Sequence, residues 1–255
     1  MTDPVAAAAD RLHEAWQSRA PCAPVRDLLP DLPTAYEAQE HNTRRWLAAG
    51  RRIVGRKIGL TSRAVQTQLG VDQPDYGMLW ADASYTDAEP VPLPMQARAE
   101  GEVAFVIGRD LTREHLVITD LIGAIAYALP AIEVVGSRVA NWDIRITDTV
   151  ADNASSGAFV LGTSPVALDR FDHHLCGMVL ERRGEPVSVG AGAACLGNPL
   201  GATLWLARKM VEVGRPLREG DVVLSGALGP LVPVAAGDVL ELRVNGLGSV
   251  RAVLQ

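Results

Sequence analysis

Residues 98–107 read RAEGEVAFVI, and the order of side chains in this stretch decides the fold. In a strand, alternate side chains share a face. Glu100 and Glu102 then point one way, with Gly101 opposite. The segment continues as the apolar run Val103 to Ile107, which reads as buried. Two carboxylates roughly 7 Å apart at their Cα atoms can converge on one cation. Without a cation they repel each other and favour solvent. Acids leading into a buried strand need a reason to be there.

Similar short runs extend on both sides: RIVGRKIGL (52–60), AIEVVG (131–136), GAFVLG (157–162), CGMVLERRGEPVSVG (176–190), DVVLSGALG (221–229) and DVLELRVNGLGSVRAVL (238–254). Several have the usual strand length. Arg183-Gly184 and Asn245-Gly246 sit between such runs as hairpin turns. Helical signals flank and interrupt them. Asp3-Pro4 is a cap and first-turn pair, followed by Val5, Ala8, Leu12 and Trp16 at helical spacing. A second helix is expected from about Thr34 to Gly50, a third over Thr119–Ala128, and a fourth from Asn198-Pro199 to Gly214. Strands and helices do not alternate regularly, which excludes a doubly wound sheet or a TIM barrel. The expected class is α+β, with residues 1–50 as a helical N-terminal segment and 51–255 as a β-rich catalytic domain.

The 255 residues are 48% hydrophobic and 21% charged, which excludes wholesale disorder and a small disulfide scaffold. Lys plus Arg number 24 against 30 Asp plus Glu, a net charge of -6, which lacks the basic excess usual in a nucleic-acid binder. No stretch approaches the roughly 20 apolar residues of a membrane helix, and the N-terminus lacks the basic region of a secretory signal. Cys22, Cys176 and Cys195 form no CxxC pair. An odd, sparse count fits a reducing cytoplasm, the expected location.

Further polar residues stand in apolar surroundings. Glu133 lies in LPAIEVV (129–135). With Glu100 and Glu102 it makes a set of three carboxylates suited to a hard ion such as Mg²⁺ or Mn²⁺. The alternative is that these acids lie on wet strand faces or pair with Arg98 and Arg138. Asp152, Asn153 and Ser155 belong to the polar segment DTVADNASSG (148–157), which either lines a pocket or forms a turn or cap. Lys57, in VGRKIG, either snorkels to solvent or meets an anionic partner. Asp75 lies in the turn-like PDYG (74–77) and is a weaker site acid. GAGAAC (190–195) only approaches a dinucleotide fingerprint, and Walker A, GxSxG and HExxH sequences do not occur. His173-His174 reads as a solvated loop pair.

Eight blocks taken in order are more specific than any of these motifs: GRKIGLT (55–61), QLGVDQPDYG (68–77), the Glu-Gly-Glu strand, LPAIEVVGSR (129–138), DTVADNAS (148–155), CLGNPL (195–200), WLARKM (205–210) and SGALGP (225–230). In these the chain resembles the 2-keto-4-pentenoate hydratases of the fumarylacetoacetate hydrolase superfamily over nearly its whole length. The resemblance implies a mixed β-sheet roll with outer helices, a homo-oligomer, and Mg²⁺ or Mn²⁺ held by Glu100, Glu102 and Glu133. It implies Lys57 and Asp75 as catalytic residues, with Asp152 and Ser155 as groups that orient water. Asn153 and Ser225 are carried over as substrate-side residues. The implied activity is hydration of a short 2-hydroxy-2,4-dienoate in aromatic meta-cleavage catabolism, with association with other enzymes of that route as a further implication. Ser156 is a departure at a small-residue position. The water-activating His of the C–C hydrolases has no counterpart, which disfavours hydrolysis. A 4-oxalocrotonate decarboxylase sharing the metal site, and a non-catalytic partner subunit, are the alternatives.

Overall fold

The computed structural model describes residues 3–63, 66–67 and 71–255. Residues 68–70 of the QLGVDQPDYG block lie outside the described residues. The N-terminal layer is α1 (Pro4–Ser18) and α2 (Leu32–Ala48). Asp3 caps α1 through Val5 N (3.1 Å), and Asp31 caps α2 through Thr34 N (3.0 Å). These caps satisfy amide donors that the first turn leaves free.

The larger sheet holds β1 (Ile53–Gly59), β2 (Asp75–Trp80), β3 (Ser84–Thr86), β5 (Arg98–Ile107), β6 (Ile125–Val135), β7 (Ala158–Leu161), β10 (Val222–Leu224) and β11 (Val232–Pro233). Its order is β2-β1-β10-β5-β6-β7-β3, with β11 on β5. A second sheet runs β4 (Pro90–Val91), β13 (Gly248–Leu254), β12 (Val239–Val244), β8 (Gly177–Arg182) and β9 (Glu185–Ala191). Three strand pairs are parallel (β1–β10, β3–β7, β13–β4) and the other pairs are antiparallel. This is the mixed roll that the resemblance implies. The main core lies between the sheets and under α5 (Pro199–Glu212), with Phe105, Ile132, Met178, Leu180, Leu206 and Leu242 among its fully buried members.

The expected helix over Thr119–Ala128 is corrected. Helix α3 covers only Ile118–Ile122, and β6 begins at Ile125. Ala124, Ala126 and Ala128 favour a helix locally, but Tyr127 and Ala128 pair with Val106 and Phe105 of β5. Ten ladder pairs along β5 override a weak local preference. The polar segment expected as a pocket lining or turn contributes a short helix, α4 (Ile146–Ala151), and then a turn.

Gly101 shows why the site strand needs a glycine. A Cβ there would lie 2.5 Å from Leu242 Cδ1 of the second sheet. The inward face of β5 therefore packs tightly, while Glu100 and Glu102 project outward. Buried Gln39 of α2 donates to Tyr76 O (3.0 Å) and Val150 O (2.9 Å), tying the helical layer to β2, which carries Asp75, and to α4, which leads into the Asp152–Ser155 turn.

Candidate metal centre

The β5–β6 register sets Glu100 directly opposite Glu133, with Glu102 two residues further on the same face. One carboxylate oxygen from each lies within 4.8 Å of the others. Glu102 and Glu133 are fully buried, and Glu100 is half-buried at the outer edge. Glu102 Oε2 accepts from Gly226 N at 2.7 Å. Glu102 Oε1 and Glu133 Oε1 have no partner, and Glu133 Oε2 has only Lys57 Nζ, at 3.3 Å. Buried carboxylate oxygens of this kind are costly unless paired or bound to a metal. All-oxygen donors converging without His or Cys fit a hard divalent cation.

Lys57 is the counter-charge. It sits on β1 beside Leu224 of β10. Its Nζ lies 3.3 Å from Glu133 Oε2 and donates to Ala154 O at 3.2 Å. Burial works to lower its pKa, but the charges of Glu133, Glu100, Asp75 and Glu102 outweigh it and hold the ammonium protonated. The sequence left Lys57 open between snorkelling and an anionic partner; here it is buried against four acids. One ammonium does not balance them. Burial and the neighbouring carboxylates raise Glu102 well above its usual range. Burial pushes Glu133 up to about 7 despite the attraction of Lys57.

Asp75 opens β2, in register with Gly59 of β1. It is buried, and its Oδ1 has no partner. Burial pushes its pKa up to about 6 against the pull of Lys57. The backbone places it tightly, since a Cβ on Gly59 would fall 2.1 Å from Asp75 Oδ1 and 3.4 Å from Lys57 Nζ. Asp75, Lys57 and the three glutamates thus form one buried cluster.

The segment after α4 is organised differently. Asn153, Ala154 and Ser155 have φ of 54°, 51° and 54°, three consecutive left-handed residues. Such backbone persists only where surrounding structure fixes it. Asp148 anchors the approach by accepting from Arg145 N, Val25 N, Arg26 N and Arg26 Nη1. Asp152 is buried with both oxygens on Arg138, one accepting from Arg138 N (2.9 Å) and the other from its Nε. Asn153 accepts from Met78 N (2.7 Å) and donates to Met78 O (3.0 Å), acting as an extra strand residue against β2. Ser155 Oγ lies 3.2 Å from Thr149 Oγ1. The side chains of Asp152 and Asn153 are thus occupied within the protein. The group of this turn that reaches Lys57 is the carbonyl of Ala154, which side-chain chemistry does not signal.

Ser225 follows β10 and is fully buried; its carbonyl accepts from Cys195 Sγ at 2.9 Å. The neighbouring Gly226 N, not the Ser225 hydroxyl, contacts Glu102. Gly226 has φ +106°, and a Cβ there would lie 2.3 Å from Thr61 Cγ2. Only glycine delivers its N–H to Glu102 in this setting. Burial pushes the Cys195 thiol up to about 12, so it remains a neutral S–H. His173 and His174 stand apart from this cluster; His173 packs on Phe171 at 4.5 Å. No helix among the described residues is long and apolar enough to cross a membrane.

Known proteins share this arrangement of chain. The chain is 61% identical over 255 residues to the "TodF product hydratase" of Pseudomonas putida, covering 98% of this chain and 95% of that protein. It is 55% identical over 248 residues to the 2-keto-4-pentenoate hydratase of Paraburkholderia xenovorans, covering 96% and 92%. The solved 4-oxalocrotonate decarboxylase of Pseudomonas putida G7, complexed with magnesium and adipate, superposes with a TM-score of 0.92 at 36% identity over 98% of this chain and 97% of that one. The family model described as "Fumarylacetoacetate (FAA) hydrolase C-terminal" matches residues 49–255, and the chain therefore belongs to the fumarylacetoacetate hydrolase family.

Proposed function

We propose that the protein is a metal-dependent hydratase that adds water to 2-hydroxypenta-2,4-dienoate (2-keto-4-pentenoate), giving 4-hydroxy-2-oxopentanoate in aromatic meta-cleavage catabolism. The observation that carries this reading is the convergence of carboxylate oxygens from Glu100, Glu102 and Glu133, with Glu102 Oε1 and Glu133 Oε1 buried and unpartnered, beside Lys57 and Asp75. Two relatives named as hydratases, 61% and 55% identical, support the reaction class.

Glu100, Glu102 and Glu133 would hold Mg²⁺ or Mn²⁺, which when bound supplies Lewis-acid stabilisation of negative charge on the substrate's carboxylate and 2-oxygen. Gly226 N–H fixes Glu102 in its ligand orientation. Asp75 moves protons to and from the substrate carbon chain. Burial pushes its carboxyl up to about 6, close to the range in which a general acid–base works well near neutral pH. Lys57 stays charged and holds Asp75 and Glu133 in place. Asp152 acts with Arg138, and Asn153 with Met78, to fix the turn that sets Ala154 O on Lys57. Ser155 and Ser225 complete the polar lining. We further propose a homo-oligomer, as the resemblance to this family implies.

The test is an ultraviolet assay with freshly generated 2-hydroxypenta-2,4-dienoate on metal-stripped protein, with and without Mg²⁺ or Mn²⁺. Metal-dependent loss of the dienol absorbance with 4-hydroxy-2-oxopentanoate as product is expected. The likeness to the 4-oxalocrotonate decarboxylase favours decarboxylation as a second reading. Carbon dioxide release from 4-oxalocrotonate, with the pentadienoate untouched, would select it.

A further inference from the structure

We propose that Arg98 binds the carboxylate of the 2-oxo-acid substrate at the mouth of the metal centre and sets the enzyme's demand for an anion; this inference rests on the function proposed above. Arg98 begins β5 and shares the face of Glu100 and Glu102. The three ligand residues grade outward. Glu102 and Glu133 are fully buried, Glu100 is half-buried, and Arg98 is the next side chain on that face beyond Glu100. One strand repeat, roughly 7 Å at Cα, separates Arg98 from Glu100, a spacing that the long arginine stem covers.

The other two cations near the cluster are committed. Lys57 lies between Glu133 and Ala154 O, and Arg138 is bound to Asp152 and Ser156 O. Arg98 meets no acid or hydrogen-bond acceptor among the described residues. It lies instead over the Trp142 ring, its Cζ 4.5 Å from the ring centroid. A ring face attracts a guanidinium without occupying its N–H donors. Those donors stay free for the forked geometry that a carboxylate accepts.

The support for Trp142 is itself built with care. Asn141 and Trp142 have φ of 59° and 53°, and Gln96 has φ of 52°. Trp142 Nε1 donates to Gln96 O at 2.9 Å, and Asn141 N donates to Gln96 Oε1 at 2.7 Å. Gln96 Nε2 in turn donates to Ser137 O and Val139 O. Three left-handed residues and four hydrogen bonds thus fix the ring beneath Arg98. Strain of this kind collects at ligand clamps.

The experiment compares two ligands that differ only in charge, pyruvate and pyruvamide, titrated calorimetrically into the Mg²⁺-loaded protein. The parent protein is expected to prefer pyruvate. Arg98→Met is expected to weaken pyruvate by roughly 10- to 100-fold, the range for a hydrogen bond to a charged group, and to change pyruvamide by less than about threefold. Arg98→Lys, which keeps the charge but loses the fork, is expected to fall between. Trp142→Leu, with Arg98 in place, is expected to weaken pyruvate alone. Equal loss for both ligands, or no loss for pyruvate in a folded Arg98 variant, overturns the assignment while leaving the metal centre intact. A parent protein that takes up Mg²⁺ but binds neither ligand overturns the functional reading and this inference together.

Discussion

Replacing Gly59 by Ala tests the placement of Asp75 without touching any of the three glutamates. Gly59 has no left-handed backbone to relieve, so the effect is steric. The added Cβ would stand 2.1 Å from Asp75 Oδ1, whereas ordinary contact begins at 3.4 Å. The carboxylate must therefore retreat by a little over 1 Å. The same Cβ stands at an ordinary 3.4 Å from Lys57 Nζ, so the ammonium stays. Overpacking in a tight interior costs about 1–3 kcal/mol, which for a chain of this size lowers Tm by roughly 2–12 °C. A misplacement of about 1 Å in a reacting group costs on the order of 100-fold in rate. The expected result is kcat down by about 100-fold on the pentadienoate, with the Mg²⁺ Kd within threefold of the parent and a cooperative melt. Steady-state kinetics, calorimetric metal titration and a thermal melt read these three quantities. A folded Gly59→Ala protein with kcat within threefold of the parent would refute the role given to Asp75.

Three other perturbations follow from the same geometry. Glu102→Gln is expected to weaken Mg²⁺ binding by roughly two orders of magnitude, since carboxylate charge sets affinity at such sites, and metal titration with near-parental affinity would remove Glu102 from the ligand set. Burial raises Asp75, Glu102 and Glu133 above their unfolded values of 3.8 and 4.5, so the metal-free fold binds protons more tightly than the unfolded chain. The stability this provides is complete below about pH 4 and is lost as pH climbs through about 6 and 7; melts of metal-stripped protein should fall over pH 5–8, and saturating Mg²⁺ should flatten or reverse the trend. Asn153→Ala leaves buried Met78 N and O without their partner and should cost about 2–5 kcal/mol, together with a fall in kcat larger than the change in KM; denaturant unfolding and steady-state kinetics check the two parts.

The strand alternation at Glu100-Gly101-Glu102 made the carboxylate cluster legible, because a period of two on a buried strand leaves two acids on one face. Glu133 was legible for the same reason, as an acid inside an apolar run. The direct pairing of Glu133 with Glu100 was not, because register between distant strands depends on the whole sheet. The helix expected over Thr119–Ala128 failed where alanine's local preference yielded to the β5–β6 ladder. Asp152 and Asn153 were legible as important polar residues, but not as supports, since a composition of turn formers does not reveal which backbone they clamp. Ala154 O and Gly226 N escaped altogether. Each acts through its backbone, and only the left-handed conformations that present them give them away.

The parallel pairing of β1 with β10 joins Lys57 to Leu224 across most of the chain. Contacts so distant in sequence form late, because the entropy of closing the loop must be met before the pairing rewards it. Strand β10 is the link that hydrogen-bonds β1, with Lys57, to β5, with Glu100 and Glu102. A polypeptide truncated before β10 keeps all three glutamates yet lacks the strand that joins β1 to β5.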